Sequence, residues 1–134
     1  MSRQHPFPYL EDLLITHPDY ISKRMFGMQA AYFGDRIVAV FGDDTDSPAW
    51  NGLLLPVVRD VHLELCAEFL GLTPHPVLGK WLFLPALHPE FESQAERIVR
   101  LIRRGDQRFG VVAQKKRKSA KRQGVAKAAG RRKR

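Results

Sequence analysis

Two apolar segments separated by Gly34-Asp35 constrain the fold of this chain most. Residues 24–33 (RMFGMQAAYF) and 36–42 (RIVAVFG) are each long enough for a strand, and both place apolar side chains on two sides. Glycine readily supplies the positive φ that a two-residue turn between antiparallel strands needs. We therefore predict a hairpin over residues 24–42 whose strands are largely covered on both faces.

The remaining pattern predicts an α+β fold. Helices are predicted over residues 8–16, 60–71 and 88–105, and further strands over residues 53–58, 80–85 and, as a short final strand, 109–113. The last helix carries an apolar stripe of Phe91, Ala95, Ile98 and Ile102. The order α-β-β-β-α-β-α predicts an antiparallel meander of about four strands with helices packed on it.

Charge divides the chain into two parts. Of its 22 Lys and Arg residues, 11 lie in residues 115–134, which contain no acid. Residues 1–114 contain the other 22 − 11 = 11 basic residues and 14 acids, which gives them a net charge of −3. Because the C-terminal segment has almost no sizeable apolar residue, we predict a folded domain over residues 1–110 and a disordered Lys/Arg-rich tail over residues 111–134.

The tail is the predicted nucleic-acid-binding segment. Its cations can neutralise phosphates in a sequence-independent, salt-sensitive way, and it has no aromatic residue on which a base could stack. The competing interpretation is a solvated tail that keeps the chain soluble. The predicted contacts are Lys115, Lys116, Arg117, Lys118, Lys121, Arg122, Lys127, Arg131, Arg132, Lys133 and Arg134.

Cysteine content and hydropathy bear on the compartment. A single cysteine, Cys66, cannot form an internal disulfide, and the N-terminal residues lack the apolar run of a secretory signal. No apolar run is long enough for a transmembrane helix. We therefore expect a cytoplasmic protein without a membrane partner.

The motif Arg24-Met25-Phe26-Gly27 resembles the N-terminal domain of the TfoX competence-regulator family. The Gly34-Asp35 turn and the aromatic strand KWLFLP, followed by a Pro-Glu helix start, support the resemblance over roughly residues 8–105. The chain has Met28 where the family usually has a second glycine. The resemblance implies a small cytoplasmic domain linked to regulation or nucleic-acid metabolism, without an established reaction. The MmcQ/YjbR-like family offers a similar fold.

Other polar residues favour structural roles. A calcium loop would need a glycine and a glutamate at positions where this segment has Pro48 and Leu54. We therefore predict that Asp43, Asp44 and Asp46 form a turn that ends a strand. Histidines followed by proline are typical of turns, and we predict that role for them. We predict that Cys66 is a buried structural thiol. The chain shows no nucleophile or phosphate-loop motif. We therefore predict no metal, no cofactor and no enzymatic activity.

Two exposed features leave alternatives open. Lys23 and Arg24 could bind an anion beside Gly27, or their charges could protect a strand edge from aggregation. The second role is favoured. Trp50, in a polar loop, fits either a partner anchor or a lid over the core, with the lid slightly favoured.

The preferred hypothesis is a non-enzymatic regulatory or adaptor domain whose tail binds nucleic acid nonspecifically and whose acidic body engages a protein partner. The alternative is a small-molecule-binding or catalytic domain with a pocket near Phe26, Tyr32 and Trp81, between the first hairpin and the fourth strand. A third hypothesis is self-association through the strand of residues 53–57. The sequence does not predict an oligomeric state.

Overall fold

The computed structural model describes residues 5–112 of the 134. The predicted tail contacts, residues 115–134, lie outside this range. The helices are α1 (Pro8–Leu14), α2 (His62–Glu68) and α3 (Phe91–Arg104). The strands are β1 (Tyr20–Met25), β2 (Met28–Phe33), β3 (Arg36–Asp43), β4 (Asn51–Leu55), β5 (Thr73–Pro74), β6 (Leu82–Pro85) and β7 (Val111–Val112).

One antiparallel sheet organises the described residues. Its strands follow the order β1-β2-β3-β4-β6-β5, and β7 pairs with the beginning of β3. A core of buried side chains from α1, α2 and α3 covers one face, the helical face. A smaller core lies on the opposite face, here called the second face. The predicted α+β class and antiparallel sheet are confirmed, and the sheet has more strands than predicted.

The first predicted strand is in fact two strands. Met25 pairs with Met28, so Phe26 and Gly27 form a two-residue turn between β1 and β2. Both turn residues have positive φ, 54° and 79°, the pattern of a type I′ turn. The prediction of an unbroken strand over residues 24–33 was wrong because phenylalanine rarely adopts this backbone conformation and gives no turn signal.

The predicted hairpin turn at Gly34-Asp35 is confirmed. Phe33 pairs with Arg36, and Gly34 has a φ of 64°. The register between β2 and β3 shifts after Ala31, which leaves Val38 as an extra residue in β3. This bulge turns Val38 toward the helical core while Ile37 stays on the second face.

The remaining helices and strands differ from the predictions mainly in length. A helical turn at Arg59–Val61 precedes α2, which is shorter than the predicted helix over residues 60–71. The short strand β5 was not predicted. The final strand is confirmed as β7, and the backbone N–H of Gly110 donates to the carbonyl of Pro56 at 2.9 Å. This bond fixes the end of the described chain against the residue that follows β4.

The helix α3 forms as its stripe predicts. Phe91, Ala95, Ile98 and Ile102 are all buried on the helical face. Gly105 ends the helix with a φ of 93° and donates to the carbonyl of Ile102. Each buried Ile or Phe side chain contributes roughly 1.5–3 kcal/mol of transfer free energy, so this stripe anchors the helix to the sheet.

Strand pairing also decides one hypothesis. β4 is bonded to β3 on one side and to β6 on the other. Both of its edges are therefore occupied within the chain, and self-association through residues 53–57 does not hold. Among residues 5–112, no helix combines the length and apolarity that a membrane crossing requires.

Candidate functional site: two grooves on the second face

The second face has a strand-built floor. Its buried side chains come from β2, β3, β4 and β6 and belong to no helix: Met28, Ala30, Ile37, Val40, Leu54 and Phe83. Met25, Tyr32, Trp50, Trp81 and Val111 pack against them while remaining partly accessible. Loops, not helices, therefore cover this face, and they leave two grooves open.

His75 holds the two covering loops together. Its Nδ1 accepts hydrogen bonds from the backbone N–H groups of Val77 and Leu78, each at 3.0 Å. Its Nε2 therefore carries the proton and donates to the carbonyl of Ala49 at 2.6 Å. The imidazole also contacts the Trp50 ring, with centroids 4.5 Å apart. A buried, fully bonded histidine thus fixes the wall of the first groove.

We call the first groove the acidic groove. It has a volume of about 750 Å³. Its lining consists of Phe26, Gly27, Met28, Asp43, Asp44, Thr45, Trp50 and Leu78. Among residues 5–112, the lining contains two carboxylates and no cation, so its field attracts positive charge. Asp44 also accepts the backbone N–H of Asp46, which ends β3 in the predicted turn.

Phe26 stands at the rim of the acidic groove with 90% of its surface exposed. Trp50 is half-buried and packs on the second core, as the lid interpretation predicts. Gly42, on β3, is required because a Cβ there would collide with the Trp50 carbonyl and lie 2.9 Å from the Met28 sulfur. The groove therefore depends on close contact between β3 and the loop that carries Trp50.

We call the second groove the basic groove. It has a volume of about 710 Å³. Its lining consists of Met25, Tyr32, Ile37, Val57, Val58, Arg59, Lys80, Trp81, Val111 and Val112. Arg59 and Lys80 are exposed, and no acid from the described part of the chain lines the groove. A third cation, Lys23, lies outside the lining but contacts it, because its Nζ is 5.0 Å from the centroid of the Tyr32 ring.

The four residues of the family motif lie in different places. Arg24 is exposed on the edge strand β1, Met25 lines the basic groove, and Phe26 and Gly27 line the acidic groove. Lys23 and Arg24 therefore lie on an outer strand of the sheet, as the predicted protection of a strand edge requires. The motif separates the two grooves rather than forming one site.

The predicted pocket near Phe26, Tyr32 and Trp81 is divided in the same way. Tyr32 and Trp81 line one groove together, whereas Phe26 lines the other. Spacing along a strand could not reveal this division, because it depends on the turn between Met25 and Met28.

The predicted structural roles of the other polar residues agree with the geometry. His17, His75 and His88, each followed by proline, accept a backbone N–H two residues later, at 3.0 Å in each case. Cys66 is half-buried rather than buried as predicted, and this partial burial raises the pKa of its thiol, which disfavours a nucleophile. Within residues 5–112 no group of three or more potential metal ligands comes together.

Arg108 is an organising residue that the sequence analysis missed. It contacts Asp106, Glu64 and Glu68 at 2.8, 3.0 and 2.8 Å. Its hydrogen bonds lower the pKa of Asp106. The cluster ties α2 to the segment that leads into β7, and so positions one wall of the basic groove. Its partners on α2, Glu64 and Glu68, lie 40 residues or more away along the chain, so no local pattern signals the cluster.

Comparison of the chain with protein-family models, curated proteins and solved structures finds no match. The resemblance to the TfoX N-terminal domain therefore stays a prediction, and the class that the geometry defines is an α+β domain with a two-grooved sheet face.

Proposed function

We propose that this chain is a non-enzymatic regulatory or adaptor domain that binds nucleic acid nonspecifically. The contacts would come from the C-terminal cations together with the basic groove. The proposal includes a cytoplasmic location and agrees with the function implied by the resemblance to the TfoX family.

One observation carries the proposal. Val112, the last described residue, lines the basic groove. The 11 cations that follow therefore start from a surface that already presents Arg59 and Lys80 without a lining acid. A phosphate backbone could contact the groove and the tail continuously, since both offer Lys and Arg.

The net negative charge of residues 1–114 requires the cations that bind nucleic acid to be concentrated in one part of the molecule. Residues 1–114 carry a net charge of −3, which repels a polyanion at long range. Affinity must therefore come from a local concentration of cations, and each phosphate neutralised adds close to one unit to the slope of log affinity against log salt.

The experiment compares the full chain with a variant that ends at residue 114, using a fluorescently labelled generic duplex at low salt. We expect removal of the tail to weaken binding at least ~100-fold and to flatten the salt dependence. Arg100→Gln with Arg104→Gln, which removes two cations from the exposed side of α3, measures how much a loss of charge elsewhere on the domain contributes. Equal affinity of the two chain lengths would refute the tail's role.

The size of the basic groove favours a second candidate function, binding of a small amphipathic anion. Its volume of about 710 Å³ lies within the range of ligand sites, and it combines the rings of Tyr32 and Trp81 with two cations. A ligand that binds the native state raises the melting temperature. Screening the variant ending at residue 114 against aromatic carboxylates and nucleotides should give such a rise, and Lys80→Gln should reduce it.

A further inference from the structure

Phe26 has a conformation and an exposure that the fold does not require. Its φ of 54° is one that asparagine or glycine adopts more easily at the first position of a type I′ turn. Its side chain is 90% exposed, so packing within the domain does not compensate. A residue that costs stability in both respects is a candidate for binding.

The surroundings of Phe26 indicate what it would bind. The acidic groove offers apolar side chains, the aromatic ring of Trp50 and the carboxylates of Asp43 and Asp44. Aromatic faces and carboxylates together favour the ammonium of lysine and the guanidinium of arginine, through cation–π contact and ion pairing. The complementary occupant is therefore a segment rich in Lys and Arg.

This chain contains such a segment at a suitable distance. Val112 pairs with Arg36 at the beginning of β3, whereas Asp43 lies at the other end of that strand. Seven residues of strand separate these ends, or ~23 Å. The 22 residues after Val112 can span up to ~70 Å and the 15 residues up to Lys127 up to ~50 Å, so Lys127 and the cations that follow it can reach the groove even if the chain reverses direction.

We propose that the C-terminal cationic segment, residues 115–134, docks in the acidic groove of its own chain beside Phe26. Nucleic acid then competes with the groove for the same cations. The docked fraction is unavailable to phosphate, so the apparent affinity for nucleic acid falls in proportion to the undocked fraction. The competition rests on the proposed function, but the docking itself does not.

Zero-length carbodiimide cross-linking of the full chain tests the docking directly. We expect mass spectrometry to show amide links from Lys127 or Lys133 to Asp43 or Asp44. Asp12 and Glu92, exposed carboxylates on α1 and α3, serve as the internal control and should react less. A generic duplex should suppress the links, and mixing isotopically light and heavy chains should show that they form within one chain.

Phe26→Asn tests the groove without a change of charge. We expect it to lower the cross-linking yield and to tighten binding of a labelled duplex about three- to tenfold. Asp43→Asn with Asp44→Asn should tighten binding more than Asp12→Asn with Glu92→Gln, which removes the same charge elsewhere. Circular dichroism of each variant confirms that it is folded.

Three results would overturn the docking: links spread evenly over all exposed carboxylates, links only between different chains, or unchanged cross-linking of Phe26→Asn. Unchanged duplex affinity in Phe26→Asn would overturn the competition. These outcomes differ from failure of the proposed function, in which the full chain and the chain ending at residue 114 bind duplex equally.

Discussion

The two grooves share a sheet face and differ in charge. Both have apolar floors from the strands, and they adjoin at the first hairpin, where Met25 lines one and Phe26 the other. The acidic groove takes its carboxylates from the end of β3 and the residue after it. The basic groove takes Arg59 and Lys80 from connections beside β4 and β6. The strands thus supply a common floor, and the connections set the kind of ligand.

The two grooves also differ in how they are supported. A fully bonded His75 and close backbone contact at Gly42 fix the acidic groove. The wall of the basic groove formed by β7 depends on the Arg108 cluster and on two strand residues. The acidic groove should therefore respond more strongly to changes in packing, and the basic groove to changes in charge.

Gly42→Ala should have the largest effect on this comparison. The new Cβ would collide with the Trp50 carbonyl, a backbone atom that cannot move without displacing the loop. We expect a loss of roughly 2–4 kcal/mol in the free energy of unfolding, measured by urea denaturation. Gly79→Ala is the control, since a Cβ there meets nothing within 4 Å. Equal losses would show that the close contact is unimportant.

Arg59→Gln with Lys80→Gln should affect binding rather than stability. Both side chains are exposed, so we expect unfolding to change by less than about 0.5 kcal/mol. Duplex affinity of the full chain should fall about tenfold, and the salt slope should decrease by up to about two. Fluorescence anisotropy across a salt series measures both. If the control Arg100→Gln with Arg104→Gln gives the same loss, the basic groove has no special role.

The sequence predicted the features that depend on local pattern. The stripe of α3 and the Gly34 turn follow from periodicity and from the backbone freedom of glycine. The strand β1 was missed because its exposed edge position gives a polar pattern without alternation. The grooves could not be predicted, because their lining residues meet only through the pairing of distant strands. Asp43 and Leu78 meet in this way in the acidic groove, and Met25 and Trp81 in the basic groove.

His5 should make stability depend on pH near the acidic end of β3. It is 8% exposed, and its Nε2 has no hydrogen-bond partner among the described residues. Burial lowers its pKa below 6.5, and the opposing effects of Glu11 and Asp43 are smaller. The unfolded chain therefore binds the proton more readily. Stability should be unaffected above pH ~6.5 and should decrease below it, by at most about 1.4 kcal/mol per pH unit.

Thermal melts between pH 7.5 and 5 measure this effect. His5→Asn keeps an acceptor for the backbone N–H of Phe7 but does not titrate, so its melting temperature should vary less over that range. Asp43→Asn removes a charge that favours protonation and should steepen the decrease. A variant His5→Asn with the full pH dependence of the parent would assign the effect to other groups.

Phe26→Asn should change the stability only slightly, and in the opposite direction to Gly42→Ala. Asparagine followed by glycine suits two consecutive residues with positive φ, so we expect a gain of about 0.5–1 kcal/mol in the free energy of unfolding. Gly27→Ala, one residue later, should lose a similar amount: a Cβ there meets nothing within 4 Å, and only the φ of 79° opposes it. Urea denaturation distinguishes the two signs. A loss on Phe26→Asn would mean that the exposed ring stabilises the hairpin, and its conformation would then need no binding role.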